Sequence, residues 1–158
     1  MHDLGFENHN HTACVSSTLA VAEKHCRDNK LQFTKVRRRV LEILLQEHRA
    51  MGAYDVLTIL SEEGLGSQPP VIYRALDFLG TQGFIHKIEK LNAYVACTHA
   101  GSAHSPTFMI CRACGAVVEA RTPIDALTQT AQELGFQIET TVVEVEGLCP
   151  NCQESRAA

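Results

Sequence analysis

The chain has 158 residues, 45% of them apolar and 20% charged, enough for one ordinary domain or two small ones of a soluble globular protein. No apolar run approaches the ~18 residues of a membrane span, and the polar, His-bearing N-terminus has no signal-peptide core. The net charge of −4 is unevenly spread: residues 1–100 carry 11 Lys/Arg against 11 Asp/Glu, and residues 101–158 carry 3 against 7. A neutral N-terminal half can still present a basic face, so composition leaves DNA binding open. Seven cysteines without an export signal favour metal ligation in a reducing cytoplasm over a disulfide scaffold.

Residues 1–13 include His2, His9 and His11, lack periodicity and read as a disordered tail. From Ser16 onward a helix runs to about Asp28-Asn29, with Val15, Leu19, Ala22 and Cys26 at helical spacing. Cys26 falls on that stripe and reads as core; Cys14 reads as a tail residue. A second helix starts with Thr34 as N-cap and carries Val36, Val40, Ile43 and Leu44 on one face. Arg37, Arg38 and Arg39 point about 100° apart in turn, so all three cannot serve one contact. Phosphate contact by one or two of them and plain solvation stand as equal readings.

Residues 53–61 form a short third helix with Val56, Leu57 and Leu60 inward, ended by Glu62-Glu63-Gly64-Leu65-Gly66. Gln68-Pro69-Pro70 opens a fourth, Pro being tolerated in a first turn. Ile72, Ala75, Leu76 and Leu79 form its buried face, Tyr73, Arg74 and Asp77 its other face, and Gly83 stops it. Two short strands follow, 84–89 and 94–97, joined by a turn at Lys90-Leu91-Asn92. Helices followed by a β-hairpin make the pattern of a winged helix-turn-helix, whose last helix enters the DNA major groove.

The small, polar stretch 99–106 reads as a hinge between a DNA-binding domain, 1–98, and a small α/β dimerisation domain, 107–158. In the latter, strands 107–110 and 116–120 flank a Cys-x-x-Cys turn. Thr122 is the expected N-cap of a helix with Pro123 at its first position, carrying Ile124, Leu127, Ala131 and Leu134 and ended by Gly135. Residues 136–146 read as one long strand whose phase slips at Val142-Val143. A small sheet with one helix buries little alone, which predicts a two-fold dimer.

The turn Cys111-Arg112-Ala113-Cys114-Gly115 and the pair Cys149-Pro150-Asn151-Cys152 supply four thiolates. Two matched pairs suit a tetrahedral structural zinc with every position filled. A disulfide or redox pair, or two unrelated turns, are the weaker readings. The long separation between the pairs means that they clamp a whole intervening subdomain.

Three stretches together are similar to the ferric uptake regulator (Fur) family. Residues 68–79, from Gln68-Pro69-Pro70 through Tyr73-Arg74-Ala75-Leu76, resemble its recognition helix, Gly83-Phe84-Ile85-His86 its wing entry, and Phe108-Met109-Ile110-Cys111 with Cys114-Gly115 its dimerisation knuckle. The resemblance runs from about Val21 to Cys152. It departs at Val71, where the family usually has Thr, and at Gln68, where a basic residue is common. The resemblance implies operator DNA as partner, a homodimer, and no membrane or small-molecule substrate. On the DNA face it implies contacts by Tyr54 and Arg74 with Tyr73 close by.

The ligand-type residues left over, His86, Cys97, His99, His104 and Glu119, cluster around the hinge. Resemblance to the zinc-sensing members of the family implies a regulatory zinc on His86, Cys97, His104 and Glu119, with His99 as the alternative to His104, and hence two zinc ions per chain. A thiolate at Cys97 favours zinc over ferrous iron. The expectation is a cytoplasmic, zinc-responsive repressor of zinc-uptake genes rather than an enzyme. A family sensor of another metal or of peroxide is the near alternative. A zinc hydrolase using Glu119 as base is remote, as it needs an open coordination position. A thiol redox role lacks the usual βαβ context.

Overall fold

The computed structural model describes residues 11–47, 49–101, 104–121 and 124–155. Four helices lead: α1 (His11–Asp28), α2 (Lys35–Gln46), α3 (Ala53–Glu62) and α4 (Pro69–Thr81). Thr34 caps α2 by accepting the Arg37 amide, and Pro69 and Pro70 stand in the first turn of α4. Their apolar stripes, represented by Ala22, Leu44, Leu60 and Leu79, meet in one core that Phe84 closes from below. Each of those five side chains is buried.

Gly83 takes a φ of +79°, which lets the chain reverse from α4 into the hairpin without strain. The hairpin, β1 (Ile85–Ile88) and β2 (Ala93–Ala96), is antiparallel and completes a winged helix-turn-helix. Beyond the hinge stand β3 (Pro106–Cys111), β4 (Val117–Arg121), α5 (Asp125–Glu133), β5 (Val143–Gly147) and α6 (Pro150–Glu154). Their sheet has the order β4-β3-β5, with β4 antiparallel and β5 parallel to β3. Ile88 and Val95 of the wing share a second apolar cluster with Phe108, Ile110 and Val117 of the sheet, so the wing lies against it.

Several expectations are corrected. α1 begins at His11, so residues 11–13 are helical rather than tail, and Cys14 sits half-buried within the helix. The expectations for His2 and His9 lie outside the described residues. Cys26 is core, 1% exposed. The N-cap of α5 is Ile124, without a side-chain bond, two residues later than expected; Thr122 and Pro123 lie outside the described residues. The expected strand over 136–146 is in pairing only from Val143, since residues 136–142 face no partner strand among the described residues. On α5 only Ala131 of the predicted stripe is buried, while Leu127 and Leu134 are exposed.

Plain solvation does not describe the arginine run of α2, whose side chains have partners within the chain. Arg37 lies 3.7 Å over the Phe78 ring and donates to the Gln32 carbonyl. Arg38 pairs with Glu42 and with Glu23 of α1, and Arg39 with Glu42 and Glu63. The run knits α2 to its neighbours.

Candidate metal centres and nucleic-acid interface

The knuckle forms at the end of β3. Gly115 adopts φ +74°, and its amide closes the turn onto the Cys111 carbonyl at 2.9 Å. Cys149 stands at the N-terminus of α6 and directs its own amide at the Cys111 sulfur, 3.4 Å away. The Sγ atoms of Cys111, Cys114, Cys149 and Cys152 all lie within 4.8 Å of one another. Cys114 and Cys149 are 3.8 Å apart and all seven cysteines are free thiols. Zinc–sulfur bonds of about 2.3 Å at the tetrahedral angle give sulfur–sulfur edges of about 3.8 Å, whereas a disulfide needs about 2.05 Å. The Cys149 amide, with those of Cys114 and Ala113, pulls the Cys111 thiol down, while hydrogen bonds from the other sulfurs push Cys152 up. Such a set fits a closed zinc site.

The second group spans three parts of the chain. His86 is on β1, Cys97 directly follows β2, His104 is in the hinge, and Glu119 is on β4. Their ligand atoms also lie within 4.8 Å of one another. Cys97 Sγ is 3.5 Å from His104 Nε2 and 3.8 Å from Glu119 Oε1. His86 Nε2 is 3.3 Å from Glu119 Oε1 but off the line a hydrogen bond needs, so this nitrogen is buried without a hydrogen-bond partner. A tetrahedral S/N/N/O zinc has edges of about 3.3–3.6 Å. The donor set and the orphaned nitrogen therefore fit that ion; the one tighter pair, His104 to Glu119 at 2.6 Å, is a hydrogen bond.

Burial, reinforced by the Glu119 charge, pushes the Cys97 thiol up to about 12. Burial also works to raise the Glu119 carboxyl, but the neighbouring His86 ring, the Thr98 amide and His104 outweigh it and leave it at about 2. Two negative ligands compete for this pocket, and without a cation only the carboxylate ionises. His99 stays outside the four-atom group: its Nδ1 lies 3.0 Å from the Thr98 hydroxyl and 3.8 Å from Glu119 Oε1. Thr98 escaped the sequence reading. Its amide holds Glu119 Oε2 at 3.0 Å, a backbone role that no residue type signals.

The expected DNA-contact residues belong to neither cluster. Tyr73 and Arg74 lie on the exposed face of α4, and Tyr54, 63% exposed, stands in the first turn of α3. Their accessible side chains leave the outward face of the helix-turn-helix open to a duplex.

A model of the ferric uptake regulator family matches residues 28–146. The zinc uptake regulation protein of Escherichia coli (strain K12) is 40% identical over 142 residues, 88% of this chain and 83% of the relative. The ferric uptake regulation protein of Staphylococcus aureus (strain Mu50 / ATCC 700699) is 28% identical over 137 residues, 84% of this chain and 96% of that one. A zinc uptake regulator complexed with zinc and DNA overlays with a TM-score of 0.87 at 38% identity, covering 91% of this chain and 98% of its own. Holo XcZur overlays at 0.80 with 38% identity, covering 87% and 98%, and apo XcZur at 0.51 with 38% identity, covering 89% and 99%.

Proposed function

The chain belongs to the ferric uptake regulator family, and from that premise we propose that it is a zinc-responsive transcriptional repressor of zinc-uptake genes, binding operator DNA as a homodimer. The observation that carries the reading is the His86/Cys97/His104/Glu119 cluster, which joins wing, hinge and sheet in a chain 40% identical to a zinc uptake regulation protein. Residues 1–98 serve as the DNA-binding domain, 99–106 as hinge and 107–158 as dimerisation domain. Each chain takes two zinc ions, one on Cys111, Cys114, Cys149 and Cys152 and one on the hinge cluster. The buried thiol of Cys97 selects zinc over the iron of nitrogen- and oxygen-only sites. With four protein ligands no coordination position remains for a substrate, which supports a regulatory rather than an enzymatic role.

A zinc ion bound at the hinge supplies a cross-link between the wing and the sheet. His86 and Cys97 anchor its wing side, Glu119 its sheet side, and His104 the segment between. Holding these four together sets the angle of the recognition helix against the dimerisation sheet, and so the spacing of two such helices in a dimer. Half-sites one turn of DNA apart are read only at the right spacing. Near-complete switching needs about 10⁴-fold preference for the DNA-competent arrangement, within reach of four ligands. The closer overlay on holo than on apo XcZur supports that this arrangement is the closed one. Exposed Leu134, Phe136, Leu127 and Val142, beside a stretch without a strand partner, support the dimer. No helix of the described residues is long and apolar enough to cross a membrane.

On the DNA face Arg74 reaches base edges or phosphate, with Tyr54 and Tyr73 flanking it. Arg74→Ala is expected to cost about 1–3 kcal/mol of binding and to relax specificity at one operator position. Unchanged binding would place the recognition helix elsewhere. The proposal as a whole is tested with a duplex selected from randomised DNA by the zinc-loaded protein. Binding should appear at buffered zinc levels well below those of manganese or ferrous iron that have the same effect. Equal response to iron would move the chain to another sensor class of the family.

A further inference from the structure

The wing is held to the sheet at a second point, outside both ligand clusters. In register across the three strands, Glu119 of β4 pairs with Phe108 of β3, and Phe108 pairs with Glu144 of β5. The two carboxylates thus flank Phe108 on one row. Phe108 is 1% exposed, lies 5.5 Å from the His86 ring and shares its apolar cluster with Ile88. Glu119 meets the start of β1, at His86. Glu144 meets its far end, where its two oxygens accept the Glu89 amide at 2.6 Å and the Lys90 amide at 3.0 Å. Lys90 Nζ adds an ion pair to Glu146 at 2.8 Å.

A carboxylate accepting two successive amides makes two charge-assisted hydrogen bonds of fixed direction. Their donors lie 55 and 54 residues away in sequence, so nothing local requires them. One attachment point leaves a rigid hairpin free to swivel, whereas two, separated by three to four strand residues or about 10–13 Å, fix its direction.

We propose that Glu144 is a positioning residue for the zinc response: its grip on the wing turn favours the DNA-competent arrangement and thereby sets the zinc concentration at which the protein engages DNA. The inference rests on the regulatory reading given above. Because the grip forms with the closed arrangement, it adds to the stability of that arrangement whether or not zinc is bound. Linkage then requires that losing it weakens zinc capture at the hinge and DNA binding together. Glu144 is not among the residues of the four-Cys cluster, so that site keeps its ion.

Glu144→Gln keeps the shape but loses the charge and one of the two acceptors; Glu144→Ala loses both. The test is the free-zinc midpoint for binding the selected duplex, with zinc content and molecular size measured in parallel. Glu144→Gln should raise the midpoint about tenfold, the equivalent of one net charge-assisted hydrogen bond, and Glu144→Ala should raise it further. Zinc per chain at saturation and dimer size should match the parent protein. An unmoved midpoint in both variants, or an equal loss of DNA affinity at every zinc level without a shift, would overturn the proposal. A parent protein that binds the duplex equally with and without zinc would overturn the regulatory reading itself, and this inference with it.

Discussion

Cys97→Ser is expected to leave one zinc per chain where the parent holds two, and to abolish the zinc-dependent gain in DNA affinity while the dimer stays intact. Cys97 is the single soft ligand of the hinge cluster and is 1% exposed, and a serine hydroxyl in its place is a far poorer zinc ligand than the thiolate. Loss of a residue that merely orients a metal ligand costs about 10–100-fold in affinity; loss of a ligand should cost at least that. The pH dependence offers a separate signature. With the Cys97 thiol pushed up to about 12 by burial and Glu119, the metal-free site holds the neutral form at pH 7, and metal capture must expel that proton. Apparent zinc affinity therefore rises with pH, by about tenfold per unit above the histidine range. In Cys97→Ser that slope should vanish with the site. Zinc titration by chelator competition at several pH values measures both. A variant that still takes two zincs with the parent slope would remove Cys97 from the ligand set.

Cys111→Ser, or prolonged chelation of the four-Cys site, is expected to unfold the dimerisation domain. The described part of that domain buries few large side chains, Phe108 and Ile110 chief among them, while α5 leaves Leu127 and Leu134 exposed. Its apolar core is thin for its length. A structural zinc contributes about 10–16 kcal/mol of apparent binding free energy, comparable with the about 5–15 kcal/mol that holds a whole domain together. Removing a ligand should lower the melting transition sharply and convert the dimer to monomer or aggregate. Circular dichroism and sedimentation report the two effects. A folded, dimeric Cys111→Ser protein would show that the thiolate cluster is dispensable for structure.

Much of the fold was legible because its signals are local. Thr34 before α2 and the Pro pair at α4 place those helices from neighbouring residues alone, and the two Cys-x-x-Cys turns announce their chemistry by spacing. The start of α5 was misplaced because no capping side chain marks it; Ile124 caps it only by backbone geometry. The strand expected over 136–146 is β-branched and alternates on either side of its slip at Val142-Val143, yet pairing needs a neighbour, and among the described residues β3 supplies one only to Val143–Gly147. The hinge ligands were recognisable by type, but their approach from three parts of the chain depends on Ile88 and Val95 docking on Phe108. That packing, like the grip of Glu144 on amides more than fifty residues distant, has no local trace. The arginine run of α2 likewise found its carboxylates on other elements, Glu23 and Glu63.

One permanent and one sensing zinc are expected to share this chain. Metal content per chain, measured on protein equilibrated across a series of buffered free-zinc levels, tests it most directly. Two bound zincs at the upper levels should fall to one at the lower, with the dimer intact throughout and DNA binding lost in step with the first ion to leave. A single zinc at every level, with DNA binding unaffected by zinc, would contradict it.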